Sequence, residues 1–203
     1  YIDNDRNLIT VTAGILQPPF FQEDVPPAVN YGAIGVVIGH EISHAFDSEG
    51  RKYDHRGRLQ DWWTERDARR FEERAQALVE QFDRFSPVDT LHVDGELTLP
   101  DNIADLAGVS AAHRAYEIRT GDEDPATIGG FTGAQRFFLS YAQMWRMKIR
   151  DRAMRQLLER DPHAPVRYRV NGIVPHVDAF YEAFDVTRGD SLYRGPERRV
   201  RIW

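Results

Sequence analysis

The sequence predicts a mainly α fold with a small β-sheet, an α+β arrangement, and three observations predict it. Apolar residues recur at helical spacing from Phe71 to Phe82 and again from Phe137 to Trp145. Start and stop signals frame such stretches: Thr64, Pro100 and the Thr132/Gln135 pair in front, Gly50 and Gly121 behind. Alternating β-branched runs are few and short, Asn7 to Thr12 (NLITVT) being the clearest.

The chain has 203 residues, enough for a sizeable core, and shows no internal repeat, low-complexity segment or interior linker. We read residues 1–203 as one domain. The net charge of −6 arises from interspersed charges of both signs, which offers nucleic acid no basic face. Cysteine is absent, so a metal site would have to use histidine and carboxylates. Apolar runs all fall short of a membrane span, and neither a signal peptide nor an initiator Met is present. Beginning at Tyr1, close to an expected strand, the chain reads as part of something longer.

In order, a strand is expected over Asn7 to Thr12. Gly14 to Phe21 (GILQPPFF) follows as an apolar loop stiffened by prolines, which either packs on the core or lines a pocket. A helix is expected from Pro26-Pro27 to about Asp47, with Gly50 as its stop. After the polar stretch from Arg51 and the Asp61-Trp62-Trp63 run, Thr64 caps a helix whose stripe is Phe71, Ala75, Leu78, Val79 and Phe82. Pro100 opens a third helix that Gly121 ends. Thr132 and Gln135 form a capping box for a fourth, containing Phe137, Phe138, Tyr141, Met144 and Trp145. A shorter helix covers Arg152 to Glu159, and Asp161 to Pro165 (DPHAP) is a loop. Tyr168-Arg169-Val170 is expected as a short strand, Val177 to Phe184 as the last helix.

The chemistry concentrates in Val36 to Asp47, VVIGHEISHAFD. His40 and His44 are four apart, so a helix stacks their rings on one face and aims both at one point. Neutral imidazole is a good zinc ligand. Glu41 falls beside the site, where a carboxylate can take a proton from a water and later return it to a leaving amine. Two histidines in so apolar a helix need a partner, because buried polar groups without one are costly. Asp101 and Asp105 form a second pair four apart, at a helix start. Acids there also favour the helix dipole, but two imidazoles call for a third ligand. One carboxylate can bind metal and the other can accept the free ring N–H of a ligand histidine.

Beyond the HExxH pattern, the segments AGILQPPFF, YGAIGVVIGHEISHAFD, Asp61-Trp62-Trp63, NIAD, FFLSYAQMWR, DPHAP, YRVNG and RIW resemble the neprilysin and endothelin-converting-enzyme family of zinc endopeptidases, its bacterial members included. The resemblance runs nearly end to end. It implies a gluzincin, a thermolysin-like zinc peptidase catalytic domain, with one Zn²⁺ per chain held by His40, His44 and Asp101. It further implies Glu41 as the base, Asp105 as the acid orienting a ligand histidine, with Asp47 in a similar part. His163 looks like the histidine that steadies the oxyanion, and Arg169 like the arginine that grips substrate carbonyls. Ile15, Phe20, Val36, Val37, Met144 and Trp145 match the family's pocket for a large apolar side chain after the scissile bond. Peptides are the implied substrates, and a bacterial, periplasmic or secreted setting the implied location.

Two departures stand out. The family's third ligand is a glutamate, and here that place holds Asp101, one methylene shorter. Its oxygen is expected to fall short by roughly 1–1.5 Å, against carboxylate–zinc bonds of about 2.0–2.2 Å. A shift of the helix start, a bridging water or weaker zinc binding would follow. The family's N-terminal helical domain and its substrate-holding Asn-Ala pair are also absent, so the fragment alone is expected to be weakly active or inactive. Val200 replaces the family's cysteine. A non-catalytic zinc-fold or peptide-binding protein, with its third ligand degraded, is the alternative reading.

Overall fold

The computed structural model of the chain describes residues 1–121 and 126–202. Trp203, the last residue of the RIW run, lies outside them. The expected small sheet is a hairpin of β1 (Ile2–Asp3) and β2 (Leu8–Ile9), antiparallel with Ile2 opposite Ile9 and Asp3 opposite Leu8. The strand expected over Asn7 to Thr12 is therefore cut to two residues. Asn7 takes a φ of 48° and serves the turn, and β1 offers only two residues to pair with.

Eight α-helices carry the rest of the described chain. Helix α1 (Pro27–Asn30) starts on a proline whose missing N–H is no loss at a helix N-terminus. It runs through a π turn, Tyr31–Gly35, into α2 (Val36–Ser43), and a 3₁₀ turn, His44–Phe46, completes the rod. Gly50, the expected stop, instead begins a later 3₁₀ turn, Gly50–Lys52. The backbone turns extended at Asp47 (ψ −171°), whose Oδ1 accepts the N–H groups of Glu49 and Gly50 at 2.8 and 2.7 Å.

Helix α3 (Glu65–Phe82) is capped by Thr64, which accepts the Asp67 N–H, and α4 (Leu99–Thr120) has Pro100 in its first turn and ends at Gly121 with φ 60°. Helix α5 (Gly133–Met144) has the full capping box. Helices α6 (Asp151–Arg160), α7 (Val166–Asn171) and α8 (Asp178–Phe184) follow. The expected strand at Tyr168-Arg169-Val170 is wrong: these residues lie in α7. Pro165, with φ −52°, launches a helix there, Tyr168 stacks on Phe85 with centroids 4.2 Å apart, and Arg169 pairs with an acid on α4. Three residues of β preference do not outweigh such contacts.

Leu78 and Phe82 of α3, Ile103 and Val109 of α4, Phe137 and Tyr141 of α5 and Ile173 form the centre of the core, all essentially sealed from solvent. Each such aliphatic or aromatic side chain contributes about 1.5–3 kcal/mol relative to exposure. Helix α2 lies against α4 with glycines at the crossing. A Cβ on Gly39 would meet Gly108 O at 2.9 Å, and one on Gly108 would meet His40 N at 2.7 Å. Two backbones can only approach this closely where both faces lack side chains.

A buried polar staple ties α3, the α7–α8 connection and the C-terminal segment together. The Val200 N–H donates to His176 Nδ1 at 2.8 Å, His176 Nε2 meets Gln81 Oε1 at 2.7 Å, and Gln81 Nε2 donates to Gly172 O at 2.7 Å. Because Nδ1 must accept, the ring is neutral and carries its proton on Nε2. Burial, followed by the charges of Arg194 and Arg199, pushes its pKa down to about 3. The unfolded chain would titrate near 6.5, so unfolding takes up a proton between those values. This contribution to stability is complete above about pH 6.5 and is lost as pH falls toward 3. Urea titrations of the wild type and His176→Ala across this range should show the wild type's advantage shrinking steadily on acidification.

Candidate metal centre

The crossing of α2 and α4 brings the four predicted residues into register. His40 sits on α2, His44 on the 3₁₀ turn that continues it, and Asp101 and Asp105 on the first two turns of α4. His40 Nε2 and His44 Nε2 are 2.9 Å apart with their rings nearly perpendicular. Asp101 Oδ1 is 3.4 Å from the first and 3.8 Å from the second. Donor atoms around a tetrahedral zinc with bonds of about 2.0–2.2 Å stand roughly 3.3–3.6 Å apart. The observed triangle brackets that edge. Asp101 Oδ1, at the start of α4, thus comes close to the edge length of such a site.

The opposite nitrogen of each histidine is fixed by an acid. His40 Nδ1 donates to Asp105 Oδ1 at 2.8 Å, and His44 Nδ1 to Asp47 Oδ2 at 2.5 Å. A carboxylate can only accept, so the Nδ1 proton is set and each Nε2 is left with a lone pair. Asp101 Oδ1 is buried and has no hydrogen-bond partner among the described residues. The three ligand atoms thus converge on one point, an arrangement that suits a cation. Without a cation there, His40 meets the same demand through its own proton affinity: burial lowers its pKa, but the nearby Asp101 and Asp105 carboxylates outweigh this and raise it to about 9. Asp101 is lowered: burial, which raises it, is overcome by the closeness of His40 and the neighbouring histidine charges.

Behind His40 the chain of contacts continues. Arg169 on α7 donates from Nε and Nη2 to the two oxygens of Asp105, each at 2.7 Å, and its guanidinium lies 3.9 Å from the centroid of the Trp145 ring. Tyr141 donates its hydroxyl proton to the Arg169 carbonyl. Asp105 is 1% and Arg169 5% exposed. Burial would raise the carboxyl, but the charge and hydrogen bonds of Arg169, with His40, hold it well below the usual carboxylate range. Arg169 has one arm, Nη1, beyond those spent on Asp105.

Of the other predicted residues, contacts set His163 against Asp101 and Arg169 against Asp105. Glu41 is on the next position of α2 and keeps part of its surface. His163, on the loop after α6, points Nε2 at Asp101 Oδ1 from 3.2 Å. Ile15, Phe20, Val37 and Trp145 keep part of their surface, whereas Val36 and Met144 belong to the core. A cleft of about 760 Å³ opens elsewhere, lined by Ile42, Phe46, Leu106, Glu117 and Val177, with none of the predicted site residues on its walls. Its size does not bear on the chemistry, which sits with the converging lone pairs. Sequence reasoning passed over Asp161, whose Oδ1 accepts both the backbone N–H and Nδ1 of His163 at 2.9 and 2.8 Å. The Asp-x-His spacing was its available signal.

The model of the family described as Peptidase family M13 matches residues 1–200. The chain belongs to that family. Among M13 relatives, it is 43% identical over 204 residues to mouse membrane metallo-endopeptidase-like 1, covering 98% of this chain and 26% of that protein. Against the neutral endopeptidase of Lactococcus lactis identity is 38%, covering 100% and 31%. The crystal structure of Mycobacterium tuberculosis zinc metalloprotease Zmp1 in complex with inhibitor superposes with a TM-score of 0.98 at 48% identity, covering all of this chain and 32% of the other. The chain thus spans about a quarter to a third of these relatives. M13 membership implies zinc as the metal, and the donor set of two imidazoles and a carboxylate fits it.

Two substitutions test this architecture. Gly108→Ala should push α2 from α4, costing about 1–3 kcal/mol in urea unfolding and weakening zinc binding in a chelator competition. Asp105→Asn, compared with the wild type in excess chelator so that metal plays no part, should cost about 3–5 kcal/mol, since it leaves the Arg169 charge buried without its partner.

Proposed function

We propose that the protein carrying this chain is a zinc-dependent endopeptidase that cuts oligopeptides on the N-terminal side of large apolar residues. The observation that carries the reading is the convergence of His40 Nε2, His44 Nε2 and Asp101 Oδ1 beside Glu41, in a chain of the M13 family. Zinc held by these three residues would polarise the scissile carbonyl and make a water molecule acidic enough to attack it. Glu41 takes the proton of that water and passes it to the departing amine. His163 steadies the negative charge that develops on the carbonyl oxygen. Arg169, anchored by Asp105 and Trp145, offers Nη1 to a substrate carbonyl. Ile15, Phe20, Val37 and Trp145 supply apolar surface for the side chain after the cut, with Val36 and Met144 backing them.

Asp105 and Asp47 hold the histidine rings in the tautomer that keeps both Nε2 lone pairs free. The non-catalytic alternative drew on the short side chain of Asp101. The distances of 3.4 and 3.8 Å to the imidazole nitrogens favour the peptidase over it.

Substrate handling by the longer protein belongs to the same proposal, since this chain is about a quarter to a third of its relatives. The decisive comparison is Glu41→Gln in the full-length protein, assayed with fluorogenic peptides and by metal content. Stoichiometric zinc with turnover reduced by about 10²–10⁴-fold or more is expected. Retained cleavage would remove Glu41 from the mechanism.

A further inference from the structure

Segment 146–160, RMKIRDRAMRQLLER, leaves the metal centre and returns to it. It follows Trp145, whose ring centroid lies 3.9 Å from the Arg169 guanidinium, and leads through Asp161 to His163, whose Nε2 is 3.2 Å from Asp101 Oδ1. Both ends therefore touch groups of the site. The segment holds Arg146, Lys148, Arg150, Arg152, Arg155 and Arg160 against two acids, Asp151 and Glu159, a balance of +4 in a chain of −6. Arg155 pairs with Asp89. The other five cations are exposed, and none has an ion pair among the described residues. The basic run near the C-terminus differs: Arg199 and Arg201 pair with Asp178, and Arg198 with Glu197.

Helix stability does not account for this placement. Arg150 is the N-cap of α6 and Arg152 its second residue, where the partial positive charge of the helix end disfavours cations. Nor does α6 offer a bilayer an apolar face: Leu158 packs against the core, and Met154 and Leu157 are half-buried. Lys148 is three residues from Trp145 and Arg160 three from His163, so their backbones lie within about 11 Å of those residues. Charges are felt over about 8–10 Å at physiological salt, so these side chains act on whatever occupies the site. We propose that segment 146–160 selects peptides carrying aspartate or glutamate on the C-terminal side of the cut. This rests on the peptidase reading above and names its substrate class. Trp145 lines the surface assigned to the residue after the cut, so the peptide beyond that residue meets the cations that follow Trp145. Complementary charge of this kind raises the rate of capture and leaves the bond-breaking step alone.

The test compares matched fluorogenic peptides in the full-length protein, with Glu or Gln at the two positions beyond the apolar residue. At about 10 mM salt, where the screening length is about 30 Å, the Glu peptide should show a kcat/KM roughly 10-fold higher with a similar kcat. The advantage should fade toward parity near 1 M salt, where that length is about 3 Å. Combining Lys148→Gln, Arg150→Gln, Arg152→Gln and Arg160→Gln should remove most of it, while zinc content and cleavage of the Gln peptide stay as in the wild type. Equal kcat/KM for the two peptides in the wild type, or an advantage that survives in the quadruple variant, overturns the inference. Equal cleavage together with salt-dependent binding to phosphatidylglycerol vesicles, lost in the variant, would assign the cations to a lipid surface instead. Protein that cleaves neither peptide sinks the peptidase reading and this inference with it, whereas cleavage of both alike sinks the inference alone.

Discussion

The site depends on how closely the backbones of α2 and α4 approach. Gly39 and Gly108 leave no side chain at the crossing, and a methyl on either would press into the other helix at under 3 Å. Because α4 starts with Asp101 and Asp105 just before that crossing, the same contact that packs the helices also sets carboxylates against His40 and His44. Packing and ligand geometry are therefore a single constraint. Interiors packed at crystal density have little room to relax, so a small error at the glycines would reappear at the metal centre.

Charge is organised around that contact in a line: the Trp145 ring, the Arg169 guanidinium, Asp105, His40 and then the metal position. A buried ion pair of this kind is not in itself a strong source of stability, because taking two charges out of water costs nearly as much as their attraction returns. Its use here is orientation. The bidentate fork allows one alignment of the carboxylate, the carboxylate allows one tautomer of the imidazole, and Trp145 prevents the guanidinium from tilting. Each member removes a degree of freedom from the next, and the lone pair at His40 Nε2 is the result.

Asp101, where the resemblance expects a longer acid, shows how position can offset side-chain length. The start of α4 lies near enough for Oδ1 to stand 3.4 and 3.8 Å from the two imidazole nitrogens. His163, from the loop after α6, brings a third ring nitrogen to 3.2 Å from the same oxygen.

The sequence by itself determined the helices with strong local signals: the Thr64 cap, the Thr132/Gln135 box, Pro100 and Gly121, and the spacing of His40, Glu41 and His44. These depend on neighbours within four or five residues, which a linear pattern displays. It also carried the M13 family. The tertiary structure alone decided what depends on distant residues. Tyr168 to Val170 became helical because Arg169 and Tyr168 found partners on other elements, and the strand at Asn7 was shortened because its partner strand is only two residues long. His176 finds its partners Gln81 and Val200 95 and 24 residues away along the chain, beyond any local pattern. The reach of Asp101 is of the same kind: side-chain length is written in the sequence, but the distance it must cover is set by where two helices cross.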